Sequence, residues 1–232
     1  MILFELEKVL DGGDHHHYLY EGTERSFKPY YIANITTSWI PALESVENKL
    51  RRGGAKVVDV GCGHGASTIL MAKAYPNSQI TGFDYHRPYI ERARKEAEKQ
   101  GLKNITFEVA GSTDYPGDDY DLVAFFDCFH DMGNPSAAGR HVMQTLKNKD
   151  GTWMLVEPFA NDKVEDNLNP VGRLNYAAST VVCVPASLNE NRPALGAQAG
   201  EERIAEIVKS AGFSKFRRAT QTPFNLVFEA RL

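Results

Sequence analysis

The sequence is short of several features, and each shortage closes off a class of function. It has no apolar run long enough to span a bilayer, and its opening residues, MILFELEKVLDGG, lack the basic-then-apolar order of a secretory signal. A cytoplasmic chain with no membrane contact is expected. Basic residues are outnumbered, with 26 Lys and Arg against 30 Asp and Glu. The formal charge of −4 offers no positive field to a nucleic-acid backbone. The expected partner is therefore a small molecule and not a nucleic acid. Cysteine is scarce: Cys62, Cys128 and Cys183 are odd in number and far apart, which rules out a disulfide framework and a C-x-x-C metal site. Reduced, buried thiols and no metal are expected. Internal repeats and low-complexity tracts are also missing.

What is present is ample apolar material, 42% of 232 residues, arranged in alternating elements. Strand-like runs are KVVDV (56–60), QITGFD (79–84), NITFEVA (104–110), DLVAFFD (121–127) and TWMLVE (152–157). Helical segments lie between them: ASTILMAKAY, then RPYIERARKEAEKQ with Pro88 near its start and Gly101 just past its end, then PSAAGRHVMQTLKN capped by Asn134. Such alternation implies a doubly wound α/β fold, with a parallel sheet covered by helices on both faces. Before it, DGGDHHHYLYEGTERSFKPYY reads as irregular structure laid over something else. SWIPALESVENKL then reads as a helix with Trp39, Ile40, Leu43, Val46 and Leu50 on one face, closed by Gly53 and Gly54. Residues 158–199 are too long and mixed for a plain connection, and such insertions commonly carry function. A last helix, EERIAEIVKSAG, leads to FSKFRRAT and PFNLVFEARL, whose short link permits only an antiparallel pair.

The chemistry centres on VVDVGCGHGAS, residues 57–67. Gly61, Gly63 and Ala66 fit the G-x-G-x-x-G/A turn of dinucleotide sites, and Asp84 sits where a ribose-binding acid would. The loop alone therefore suits either a pyrophosphate or an amino-acid tail. Asp59, two residues before the first glycine, would repel a pyrophosphate, whereas it can anchor an ammonium group or order the loop. The glycines continue in alternation to Gly65, and the sheet ends in an antiparallel hairpin where a dinucleotide fold would add a sixth parallel strand.

In order, VVDVGCGHG, GFDYH, DLVAFFDCFHD and WMLVEP make the chain resemble the class I S-adenosylmethionine-dependent methyltransferases. The resemblance runs from about residue 35 to the C-terminus. It implies a Rossmann-like seven-stranded sheet with the last strand inserted antiparallel, and S-adenosylmethionine across the strand ends. By that resemblance Gly61, Gly63, Gly65 and the nearby backbone hold the methionine moiety, and Asp84, followed by Tyr85, binds the ribose diol. Gly111 and Ser112 border the adenine without the usual acidic or amide side chain. Asp127 and Cys128 lie close to the methionine end. The expected division is an N-terminal helical arm or lid over 1–50 and a catalytic domain over 51–232, with 158–199 as a substrate cover.

FFDCFHDMGNP resembles the H-D-W stretch of plant-type small-molecule O-methyltransferases, with Met132 in place of the tryptophan. That resemblance makes His130 the general base and Glu157 the carboxylate that orients it. An imidazole near 6.5 is suited to take a phenol's proton. The alternative is that His130 packs beside the cofactor and Asp131 is a turn residue. Tyr18 and Tyr31, with Tyr20, Phe27 and Tyr30, are candidate flat walls for an aromatic acceptor, or simply core. Asn169, Arg173 and Tyr176 of the insertion are candidate substrate contacts, or a solvated loop. His64 and His86 read as loop residues near the cofactor, and the adjacent His15, His16 and His17 cannot converge on a metal. Plant-type enzymes and their bacterial relatives carry a winged-helix dimerisation domain ahead of the catalytic one. Only about fifty residues precede the first strand here, though MILFELEKVL leaves a homodimer open. Two other classes stay in view, an NAD-dependent oxidoreductase and a non-catalytic regulator that binds S-adenosylmethionine.

Overall fold

In a computed structural model, residues 17–189 and 194–232 are described; the side chains of residues 17–20, 149 and 189 fall outside that description. MILFELEKVL, His15 and His16 lie outside the described residues, so the dimer reading of that stretch is not addressed. Among the described residues no helix is long and apolar enough to cross a membrane.

Seven strands form one sheet in the order β3-β2-β1-β4-β5-β7-β6. They are β1 (Lys56–Val60), β2 (Gln79–Asp84), β3 (Ile105–Val109), β4 (Leu122–Phe126), β5 (Thr152–Pro158), β6 (Lys215–Gln221) and β7 (Asn225–Arg231). β1 to β5 pair in parallel, whereas β7 runs antiparallel between β5 and β6, with Trp153 opposite Ala230 and Pro158 opposite Asn225. The reversal at β2-β1-β4 creates a crevice beyond the carboxyl ends of these strands, where ligands of open α/β sheets bind.

Side chains alternate across the sheet with a strand's period of two. On one face Val58, Val60, Phe125 and Trp153 pack against Ala138 and Val142 of α5 (Pro135–Thr145) and Ile204 and Val208 of α8 (Gly200–Ser210). On the other, Val57, Ala124 and Met154 pack against Trp39, Leu50 of α2 (Val46–Arg52), and Met71 of α3 (Ala66–Ala74). α4 (Arg87–Lys99) covers β2 and β3 through Ile90, Ala93 and Ala97. Asn134 caps α5, its side chain accepting from the Ala137 amide at 3.1 Å.

The structure departs from the sequence reading at two covers. Residues expected to be irregular form α1 (His17–Asn34), an 18-residue helix interrupted by nothing but an internal Pro29. Its regularity comes from tertiary packing, because Phe27 and Tyr31, four apart and so on one face, meet the sheet and the crevice. The helix expected over SWIPALESVENKL is instead a π-turn, Ile35–Trp39, followed by α2. Pro41 supplies no amide, and Ser45 at φ 63 turns the chain left-handed, so a continuous helix is broken there. Trp39, Ile40, Leu43, Val46 and Leu50 are still all buried. The insertion is mostly helix: α6 (Pro170–Ala178), a π segment Ser179–Cys183 and α7 (Val184–Asn189).

Candidate active site

The crevice is a cavity of about 780 Å³. One end is bounded by Gly61, Cys62, Gly63, Asp84, Tyr85, Gly111 and Ser112, the other by Tyr31, Asp127, Cys128, Met132 and Ala186.

The glycine loop is a turn that only glycine fills without strain. Gly61 (φ 71), Gly63 (φ 53) and Gly65 (φ 80) are all left-handed, and a Cβ on Gly61 would lie 2.9 Å from Cys128 Sγ. Asp84 ties the loop to the end of β2: its Oδ2 accepts from the Gly63 amide at 2.9 Å and its Oδ1 from the His86 amide at 2.8 Å. Burial nevertheless raises its pKa. Both oxygens keep lone pairs for a further donor, and the residue lines the cavity. Gly111 donates its amide to Asp114 Oδ1 at 2.7 Å, which fixes the turn carrying Ser112 and Thr113 into the cavity.

Asp59 lies beneath the loop and does not line the cavity. Its Oδ2 accepts from Ser67 and Thr68 hydroxyls, both at 2.6 Å, so it holds the first turn of α3 and is not placed to meet a ligand. Burial raises its pKa to about 7 despite those two hydrogen bonds. Gly65 caps α3 behind the loop, its α-carbon facing the Phe107 ring.

Asp127, just past β4, sits at φ 50, a left-handed position that Asp tolerates better than most side chains. Its Oδ2 accepts from Tyr31 Oη of α1 at 3.0 Å and its Oδ1 from Asn225 Nδ2 of β7 at 2.8 Å. Burial, then the neighbouring Glu157, pushes Asp127 up to about 8. Burial and then Asp127 itself raise Tyr31 well above the usual phenol value, so its hydroxyl stays a donor. Burial likewise raises Cys128, whose Sγ–H meets Val60 O at 3.2 Å.

His130 and Glu157 are in contact, Nδ1 to Oε2 at 2.6 Å, and the other Glu157 oxygen accepts from the Phe129 amide at 3.0 Å. His130 itself is 4% exposed and does not line the cavity. Its Nε2 lies 3.2 Å from Asp131 Oδ1. Burial favours the neutral ring, but Asp131 and Glu157 outweigh it and raise His130 well above 6.5. In this arrangement each ring nitrogen faces a carboxylate, Nδ1 toward Glu157 and Nε2 toward Asp131, and the ring itself does not line the cavity. That conflicts with the expected general base.

Of the expected substrate contacts, Tyr31 is in place, while Tyr18 stands on the first turn of α1 with its side chain outside the description. The insertion residues do not reach the cavity. Asn169 caps α6 by accepting from the Gly172 amide at 2.9 Å, Arg173 is exposed, and Tyr176 is half-buried away from the cavity lining. The insertion reaches the cavity instead through Val182 and Ala186, and α1 through Thr23, Glu24 and Phe27. Glu24 accepts from His64 Nδ1 at 2.8 Å, and Arg92 of α4 reaches both Glu21 and Glu24. No local pattern announces these contacts, since the partners are brought together by the fold alone.

A family model described as a methyltransferase domain matches residues 51–212. The (S)-coclaurine N-methyltransferase of Thalictrum flavum subsp. glaucum is 31% identical over 121 residues, 52% of this chain and 33% of that protein. Human N-acetylserotonin methyltransferase, solved with S-adenosylmethionine, superposes with a TM-score of 0.63 at 20% identity, covering 92% of this chain and 54% of that one. The magnesium protoporphyrin IX methyltransferase of Synechocystis PCC 6803 gives 0.58 at 19%, over 94% and 86%. The chain spans less than half the length of the curated relatives it matches. With the family match covering most of the chain and the fold shared with solved methyltransferases, this protein belongs to the methyltransferase-domain family and has the class I S-adenosylmethionine-dependent methyltransferase fold.

Proposed function

We propose that this chain transfers the methyl group of S-adenosylmethionine to a small, flat, aromatic acceptor at oxygen, in a cytoplasmic setting. The observation that carries the reading is the two-ended cavity. Its volume falls within the roughly 300–1,000 Å³ of small-molecule sites. In this reading the backbone of Gly61, Cys62 and Gly63 holds the methionine moiety, Asp84 accepts from the ribose hydroxyls, Tyr85 covers the sugar, and Gly111 and Ser112 flank the adenine. Tyr31 and Phe27 give the acceptor an aromatic wall, and such faces also suit a sulfonium. Helix α1 acts as a lid on the 51–232 catalytic domain, and the 158–199 insertion covers the far end.

Methylation at a hydroxyl releases a proton, and in this reading Asp127, a carboxylate of the cavity wall beside Tyr31, takes it. A carboxylate raised to about 8 is a stronger base than an ordinary one, and the Tyr31 hydroxyl can rotate from donating to accepting once Asp127 is protonated. In-line alignment of oxygen, methyl carbon and sulfur would supply the larger share of the rate. The test is calorimetric titration with S-adenosylhomocysteine and, separately, NADH, together with mass spectrometry of any ligand released from the purified protein. Saturable binding of S-adenosylhomocysteine without NADH binding supports the reading; the reverse pattern overturns it.

A further inference from the structure

We propose that His130, Asp131 and Cys183 form a binding site for one zinc-type divalent ion at the edge of the cavity. The three donor atoms, a ring nitrogen, a carboxylate oxygen and a thiol sulfur, lie within 4.8 Å of one another. Tetrahedral zinc with ordinary bond lengths spaces its ligands by about 3.4–3.8 Å, so a small inward shift completes the set. His130 Nε2 and Asp131 Oδ1 are already 3.2 Å apart.

Two further observations point to a ligand and not to a plain ion pair. Glu157 grips the far ring nitrogen of His130 at 2.6 Å, the carboxylate-to-imidazole support that orients metal-bound histidines and makes them better ligands. Glu157 is itself fixed by the Phe129 amide. Cys183 ends the π segment Ser179–Cys183, and a π-bulge of this kind within a helix is frequent at functional sites because it re-aims side chains.

The surroundings are built to hold these groups still. The Asp131 carbonyl accepts from Ser187 Oγ at 2.9 Å, and the His130 carbonyl accepts from the Gly196 amide at 3.1 Å, so the insertion is fastened to this turn on both sides of the cluster. Nitrogen, oxygen and thiolate sulfur together select zinc-like ions over magnesium or calcium, which favour oxygen alone. With three protein ligands one position stays open. Asp131, Met132, Val182 and Ala186 line the cavity beside it, so that position takes water or, if the methyl-transfer reading holds, the acceptor's hydroxyl. The sequence reading expected no metal because cysteine spacing offered no motif; the insertion folds back to bring Cys183 onto the His130–Asp131 turn.

The experiment uses the full chain, freed of metal by chelator and titrated with Co²⁺ as a spectroscopic probe. One equivalent should bind, with the intense thiolate-to-cobalt absorption and the visible bands of a tetrahedral site. Cys183→Ser should remove the thiolate band and weaken binding at least tenfold, with circular dichroism unchanged. Replacing His15, His16 and His17 by alanine should leave the band intact. No thiolate band at saturating Co²⁺ in the unsubstituted protein, or a band that survives Cys183→Ser, overturns the proposal. S-adenosylhomocysteine binding, measured in parallel without metal, separates failure of this site from failure of the methyltransferase reading.

Discussion

Glu24 of α1 accepts a hydrogen bond from the His64 ring across the mouth of the cavity, at 2.8 Å, and the same carboxylate meets Arg92 at 3.2 Å. These contacts tie a helix from the start of the chain to the glycine loop and to α4. The His64 hydrogen bond is the leading cause of a lowered Glu24 pKa. A depressed carboxylate contributes stability that is present above its unfolded value and lost as pH falls through its folded one. Glu24→Ala should therefore speed amide hydrogen exchange in residues 20–34 severalfold at neutral pH and shift the overall melting temperature by only a few degrees. The difference from the parent should shrink in acid. Exchange unchanged by the substitution would mean that α1 is held by Tyr31 and Phe27 alone.

Asp84 supports the glycine loop and lines the cavity. Asp84→Ala should weaken S-adenosylhomocysteine binding at least tenfold, which is about 1.4 kcal/mol. Asp84→Asn keeps one acceptor oxygen and should fall between. Calorimetry on both variants reads this directly, and an unaltered dissociation constant in Asp84→Ala would remove the ribose assignment.

The two candidate bases give opposite results on substitution. If Asp127 takes the acceptor's proton, Asp127→Asn should cut turnover by about 10²-fold or more while leaving cofactor affinity within a few-fold. The parent's rate should rise with pH through about 8, as the carboxylate ionises. His130→Gln should then lower turnover far less than Asp127→Asn. A larger loss from His130→Gln, greatest at low pH, would restore the histidine as base and require the Asp131 and Cys183 contacts to open during the reaction.

Asp59 offers a test in stability. Its pKa rises to about 7 on folding, chiefly through burial. The folded state therefore binds a proton more tightly than the unfolded state, and stability falls as pH climbs from about 4 to 7, by roughly 1.4 kcal/mol per pH unit at most. Above that window the cost is fully present. Asp59→Asn removes the charge and keeps an acceptor for Ser67 or Thr68. Urea denaturation should show the variant losing ground to the parent at pH 5 and gaining on it by pH 8. Parallel curves at both pH values would contradict a buried, ionising Asp59.

The sheet was legible because its strands are short apolar runs punctuated by glycine, and because three glycines and Asp84 stand at the positions a strand-turn-helix requires. The antiparallel β6–β7 pairing followed from the short link before PFNLVFEARL. What could not be read were contacts whose partners share no local pattern. α1 looked irregular because its helical face is defined only by the crevice it covers. Asp59 looked like a ligand group, yet the hydroxyls that occupy it come from Ser67 and Thr68 at the start of the next helix. Asn169 has a cap's chemistry as well as a substrate contact's, and only the position of Gly172 decides between them. His130 was correctly paired with Glu157 in space, but nothing in the spacing could announce that Cys183 would close over its other side.

The placement of β7 makes the crevice depend on a strand synthesised after the other six. Asn225, which steadies Asp127 from 98 residues away, enters the site only after the other six strands have been made. Until then the edge of β5 has no neighbour, and an unpaired, apolar sheet edge invites association with other chains. A nascent polypeptide stalled before residue 225 would therefore carry most of the glycine-loop end of the pocket and still lack a firm opposite wall. A closed pocket wall and protection from aggregation arrive together, when β7 inserts between β5 and β6.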